Sequence, residues 1–137
     1  MSNSPTQIEL IAPDDWHLHI RDGEVMKDVL ADTAQQFARA IIMPNLKLPV
    51  TTADLAKAYR TRIESNLKSL GISSFTPLMT LYLTDNTSAD EVRKAKAEGI
   101  IGFKLYPAGA TTNSDAGVTD IKHCYKALEL MQSLGMP

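Results

Sequence analysis

Short continuous apolar runs alternate along this chain with stretches in which apolar residues recur every three or four positions. Residues 15–20, 39–43, 75–83 and 100–106 form the runs and predict strands. The second is stopped by Pro44 and the fourth by Pro107, residues that cannot donate to a ladder and that restrict the residue before them. Runs this apolar predict strands covered on both faces, as in a parallel sheet.

The intervening stretches predict helices. Val25, Val29, Leu30 and Phe37 recur at near-helical spacing, and Thr51 or Thr52 can cap a helix carrying Leu55, Tyr59, Ile63 and Leu67. Ser88-Ala-Asp-Glu91 has the spacing of a capping box, with Gly99 at the far end of its helix. A last helix starts near Thr119-Asp120, carries Ile121, Cys124, Leu128 and Met131, and ends at Gly135. The pattern is four consecutive strand–helix units, with connections suited to parallel strands joined by crossover helices. A (β/α)8 barrel takes eight units and about 250 residues, so the predicted fold class is α/β, the first four units of such a barrel. A small open doubly wound sheet is the alternative. Because the fourth helix ends where a fifth strand would begin, residues 1–137 are expected to be the N-terminal half of one domain.

Composition narrows the classes without choosing among them. The 137 residues are 44% hydrophobic and 22% charged with a formal net charge of −2, which argues against a basic nucleic-acid binder. No apolar run approaches the roughly 18 residues of a membrane helix, and the polar N-terminus lacks a signal-peptide pattern. The single Cys124 excludes an internal disulfide framework and fits a reducing, cytoplasmic setting.

Candidate chemistry concentrates after the strands. In His17-Leu18-His19 the imidazoles stand at i and i+2, on one face of a strand, a geometry for two neutral nitrogen ligands on one metal ion or simply for two surface histidines. Lys104 lies inside the apolar run of the fourth strand. It either snorkels its ammonium to solvent or is a desolvated amine able to take up carbon dioxide as an anionic carbamate. Arg21 and Asn45 each follow a strand end and together offer a carboxylate clamp, although either alone suits a surface or turn. The small polar loop 108–117 holds Thr111 and Thr112, hydroxyl donors for a substrate if the loop is a lid. His123 reads as a solvated helix residue and Cys124 as core, while Trp16 and Tyr106 are expected to pack.

These segments also resemble a known family. Pro13-Asp-Asp-Trp-His-Leu-His-Ile-Arg-Asp-Gly23 resembles the opening metal motif of the dihydroorotases, of the shorter bacterial type within the amidohydrolase superfamily. Ala40-Ile-Ile-Met-Pro-Asn-Leu46 with Pro49-Val-Thr-Thr52 is similar to their second-strand segment. Phe75-Thr-Pro-Leu-Met-Thr-Leu-Tyr-Leu-Thr84, and Lys104-Leu-Tyr-Pro-Ala108 followed by Ala110-Thr-Thr-Asn113, are similar to the next two. The resemblance covers the chain from about Ile8 onward.

What it implies is an amidohydrolase-type barrel with two zinc ions at the strand C-terminal ends, interconverting N-carbamoyl-L-aspartate and L-dihydroorotate in pyrimidine synthesis. His17 and His19 would bind the more buried zinc, and Lys104, as N6-carboxylysine, would bridge the pair. Arg21 and Asn45 would hold the substrate carboxylate, and Thr111 and Thr112 would belong to the closing loop. The family's further histidine ligands and its general acid/base aspartate are expected beyond Pro137, so the chain alone is expected to be inactive. Homodimers are common in the family. Another cyclic amidase of hydantoinase or allantoinase type, a non-catalytic dihydroorotase-like assembly subunit and a free-standing four-unit binding domain are the competing readings.

Overall fold

A computed structural model describes residues 7–137. Its elements run in the expected alternation: β1 (Asp14–Leu18), α1 (Glu24–Ala34), β2 (Arg39–Ile42), α2 (Ala53–Ser69), β3 (Thr76–Leu83), α3 (Ala89–Ala97), β4 (Gly102–Leu105) and, after a 3₁₀ turn at Ile121–Cys124, α4 (Tyr125–Ser133). Each predicted strand is present, shortened by one to three residues. All neighbouring strands pair in parallel, in the spatial order β1-β2-β3-β4.

That order decides between the two predicted architectures. A doubly wound sheet needs a reversal of strand order so that helices cover both faces. Here the order is sequential, and right-handed crossovers then put every helix on one face. The helices accordingly pack side by side, α1 on α2, α2 on α3 and α3 on α4. The chain folds as the first four units of a (β/α)8 barrel, a curled half-barrel whose inner face is open.

The core lies between sheet and helices. Ala40, Ile42, Met79, Leu81 and Leu83 meet Leu30, Ala56, Tyr59, Ile63, Val92, Ala95 and Met131 there. On α2 the buried positions are Ala53, Ala56, Tyr59, Ile63 and Leu67, and Leu55 turns outward. A strict spacing of four advances 400° around a helix, so a four-spaced stripe drifts, and Ala56 takes the place expected for Leu55. Val25 on α1 and Ile121 before α4 are likewise exposed, with Met26 buried in place of Val25 and Cys124 buried as expected. Trp16, expected to pack, is 68% exposed on the open inner face, while Tyr106 is buried as expected.

Helix α2 begins where Thr52 Oγ1 accepts the Leu55 N–H at 3.3 Å. Ser88 does the same for α3, taking the Glu91 N–H at 3.1 Å. The reciprocal half of the expected capping box is absent: Glu91 Oε1 instead accepts the backbone N–H of Ala53 at 2.6 Å, at the start of the neighbouring helix. One carboxylate thus satisfies an orphan donor of α2 and favours that helix's positive end. Lys57–Glu98 and Lys94–Asp54 ion pairs at 3.1 and 2.6 Å further tie α2 to α3.

One irregularity matters for function. Asp15 pairs with Ala40 and Leu18 with Ile42, so Trp16 and His17 together stand opposite the single residue Ile41. This β-bulge shifts the alternation of β1 by one residue. Without it His17 would share the helix-covered face with Asp15; with it, Leu18 turns to that face and the histidines to the open inner face.

Candidate active site

Strand β1 ends at Leu18, one residue earlier than needed to include His19, but His17 and His19 still converge. Their Nε2 atoms lie 3.0 Å apart, with ring centroids separated by 5.0 Å. Two nitrogens bound at 2.0–2.1 Å on one tetrahedral ion would be separated by about 3.3 Å, so the pair is shaped as two corners of a metal site. Among the described residues no third His, Cys, Asp or Glu joins them.

The surroundings of His19 show what the fold collects here. Its imidazole is held below the usual range, first by burial, then by the positive charge of Arg21 and the neighbouring His17; the Asn45 amide pulls the other way, and Lys104 adds a further depressing charge. A depressed imidazole is the neutral, ligand-competent form. Residues from β1, the loops after β1 and β2, and β4 thus lie within electrostatic reach of His19 at the C-terminal ends of the strands, where barrel enzymes build their sites.

Each member arrives by a different route. Asn45 follows β2 and is 3% exposed. Its Nδ2 donates to the Thr112 carbonyl at 2.9 Å, and Asn113 Nδ2 returns a bond to the Asn45 carbonyl at 3.1 Å. Among the described residues, Asn45 Oδ1 is buried without a hydrogen-bond partner, as is the Tyr106 hydroxyl. Buried polar atoms left unpaired are unfavourable and suit a ligand that would satisfy them. Lys104 pairs in register with Tyr82 and is half-buried, its Nζ 6.0 Å from the centroid of the Tyr106 ring. Tyr82 and Tyr106 stack at 4.9 Å, and burial pushes the Tyr106 phenol up to about 12, so it stays a neutral donor.

Arg21 is exposed and has a left-handed backbone, φ 61°. For a residue with a Cβ this conformation is unfavourable by about 1–2 kcal/mol, and such strain persists only where surrounding contacts hold it. Tyr59 on α2 supplies one contact, donating its O–H to the Arg21 carbonyl at 2.5 Å. Arg62, one turn further on, supplies another by paired bonds to Asp22, Nε to Oδ1 at 3.0 Å and Nη2 to Oδ2 at 2.7 Å. The predicted site did not include either residue. The one sequence signal for Tyr59 was a hydroxyl-bearing ring in an otherwise aliphatic stripe, which needs a partner when buried.

The predicted lid is an ordered loop. Pro107 bridges Val118, and Ser114, buried inside the loop, accepts the Thr111 N–H at 2.8 Å and donates to the Thr111 carbonyl at 2.6 Å. Gly117 allows the loop to close, because a Cβ there would meet the backbone of Tyr106, Ala108 and Ser114. Thr111 and Thr112 are exposed at its tip. Beyond the loop, Asp85 accepts the Thr119 N–H at 3.0 Å and its hydroxyl at 2.5 Å, and pairs with exposed His123 at 3.2 Å. His123 thus serves this clamp, while Cys124 is buried core, as expected.

Comparisons with known proteins agree with this geometry. The profile of the Amidohydrolase family matches residues 8–132. A dihydroorotase of Leptothrix cholodnii is 64% identical over 132 residues, 96% of this chain and 38% of that protein. The crystal structure of a Campylobacter jejuni dihydroorotase superposes with TM-score 0.81 at 42% identity, over 91% of this chain and 36% of that one. An L-hydantoinase of Arthrobacter aurescens superposes with TM-score 0.71 at 18% identity, over 91% of this chain and 28% of its own, a likeness of fold. The chain spans about 38% of the length of the curated relatives it matches.

Proposed function

Since the chain belongs to the amidohydrolase family, we propose that it is the N-terminal half of a dihydroorotase barrel, a cytoplasmic zinc enzyme that opens and closes the ring between L-dihydroorotate and N-carbamoyl-L-aspartate. The observation that carries this reading is the gathering of His17, Arg21, Asn45 and Lys104 around the His19 imidazole, in a chain so similar to dihydroorotases.

The residues fit two zinc ions in kind: His17 and His19 would hold one, and Lys104, carboxylated on Nζ by uptake of carbon dioxide with loss of a proton, would bridge to the second. When bound, the ions would supply a nucleophile from water at neutral pH and polarise the ring carbonyl. The chain's own residues do the positioning. Arg21 presents a planar fork to the substrate carboxylate, and Asn45 adds an amide donor once its Nδ2 leaves the Thr112 carbonyl. That exchange couples substrate arrival to the loop bearing Thr111 and Thr112, whose hydroxyls would turn onto the substrate and exclude water. Protonation of the leaving nitrogen needs a general acid, which we place, with the remaining metal ligands, outside these residues.

The test is the zinc content of the full-length protein as purified, together with its turnover of L-dihydroorotate against hydantoin. A strong preference for dihydroorotate is expected, since only that substrate presents a carboxylate to Arg21. Preference for hydantoin would make it a different cyclic amidase, and a zinc-free protein with no turnover would make it an assembly subunit.

A further inference from the structure

The carboxylate clamp depends on a backbone corner that local preferences do not favour. Arg21 has φ 61° and Gly23 φ 70°, so the chain turns sharply between β1 and α1. Glycine adopts such angles readily, whereas arginine adopts them only when held. The holding contacts come from one helix, α2, on the side of the corner away from the inner face. Tyr59 is 1% exposed and sends its hydroxyl to the Arg21 carbonyl at 2.5 Å. Arg62 grips Asp22 through two bonds and lies over the Tyr59 ring, its Cζ 5.2 Å from the centroid. Asp22 Oδ1 in turn accepts the Gly23 N–H at 2.9 Å. Tyr59, Arg62 and Asp22 thus form a bracket that reaches Arg21 through its main chain, and among the described residues no hydrogen bond or ion pair engages its guanidinium.

We propose that Tyr59, backed by Arg62, is a positioning residue that sets the backbone of Arg21 and thereby the enzyme's affinity for the carboxylate of its substrate. The proposal rests on the carboxylate-clamp reading of Arg21. Packing alone does not call for this hydroxyl. Phenylalanine would fill the same volume in the aliphatic stripe of Ala56, Ile63 and Leu67 without a polar atom to satisfy. The backbone of Arg21 fixes the direction of its Cα–Cβ bond, so relaxation of φ toward negative values would redirect the guanidinium whose charge reaches His19.

Tyr59→Phe and Arg62→Met are to be compared with wild type in the full-length, zinc-loaded enzyme. The readouts are KM and kcat for L-dihydroorotate and the inhibition constant of dihydrouracil, the same ring without the carboxylate. Loss of one buried hydrogen bond from the bracket is expected to raise KM about fivefold. Both kcat and the dihydrouracil constant should stay within about twofold. Arg62→Met should act in the same direction and less strongly. In an Arg21→Met background, Tyr59→Phe should add nothing, because the group it positions is gone. Equal weakening of dihydroorotate and dihydrouracil, or a Tyr59→Phe variant that melts earlier with unchanged KM, overturns the positioning role and leaves the clamp standing. An Arg21→Met variant with wild-type KM overturns the clamp and the positioning role together.

Discussion

Replacing Arg21 by glycine and, separately, by alanine isolates the strain stored at the β1–α1 corner. Both substitutions remove the guanidinium, and both keep the backbone carbonyl that Tyr59 bonds at 2.5 Å. They differ in the Cβ alone. Alanine retains the left-handed penalty of about 1–2 kcal/mol at φ 61°. Glycine sheds that penalty but adds unfolded-state entropy worth about 0.5–1 kcal/mol. Taken at the centre of each range, the difference favours the glycine variant by about 0.75 kcal/mol, or about 1.5–3 °C in thermal midpoint for a domain of barrel size. Scanning calorimetry of the two full-length variants measures it directly. In parallel, KM for L-dihydroorotate should rise equally in both, since neither offers a fork to the carboxylate. An alanine variant as stable as the glycine variant would refute the strain at this corner. A smaller KM increase for one of them would show that the Cβ, and not the guanidinium, controls binding.

Three further expectations follow from other parts of the structure. Lys104→Ala should abolish turnover and lower the zinc content of the full-length enzyme; near-normal metal stoichiometry with turnover would remove the bridging role. Glu91→Ala deprives the α2 N-terminus of its 2.6 Å acceptor at Ala53 and should destabilise by about 1–2 kcal/mol in urea titrations, whereas no change would mean that water replaces the cap. The third concerns acid. Burial raises the Asp22 carboxyl but its bonds from Arg62 and the Gly23 N–H outweigh this, and the Thr119 hydroxyl and N–H lower Asp85, so both lie below the ordinary value of 3.8 in the folded state. A lowered folded-state pKa contributes stability that is present above the unfolded value and is lost as pH falls through the folded one. The contribution of this pair should therefore hold steady from pH 7 to 5 and decline below about 4, with Asp85→Asn flattening the decline in thermal midpoint. A loss that begins above pH 5 in wild type and persists in Asp22→Asn and Asp85→Asn variants would assign the acid sensitivity to other groups.

The alternation of apolar runs with helical periodicity determined the element order, because buried parallel strands and one-sided helices impose different repeats on the same alphabet. Local chemistry also determined the caps at Thr52 and Ser88, whose hydroxyls reach N–H groups only three residues on. The placement of His17, Arg21, Asn45 and Lys104 near His19 was legible for a similar reason: strand C-terminal ends are visible in sequence, and barrels place their chemistry there.

Whatever depends on a partner distant in sequence was decided by tertiary structure. Glu91 had the spacing of a local capping box, yet it caps α2, 38 residues away, because the parallel packing of α2 and α3 brings that orphan N–H closer to its carboxylate. Trp16 looked like core and is exposed, because its place on the open inner face follows from a register shift against Ile41. That same bulge decides which face receives His17. Strand periodicity alone puts His17 and His19 on one side of β1, but pairing with β2 determines that the side is the one holding Lys104. The Arg21 corner depends in the same way on Tyr59 and Arg62, 38 and 41 positions further along the chain, and periodicity could mark them only as one buried and one exposed residue of a helix. Sequence patterns record short-range preference and burial; hydrogen bonds between elements exist only once packing has chosen which elements are neighbours.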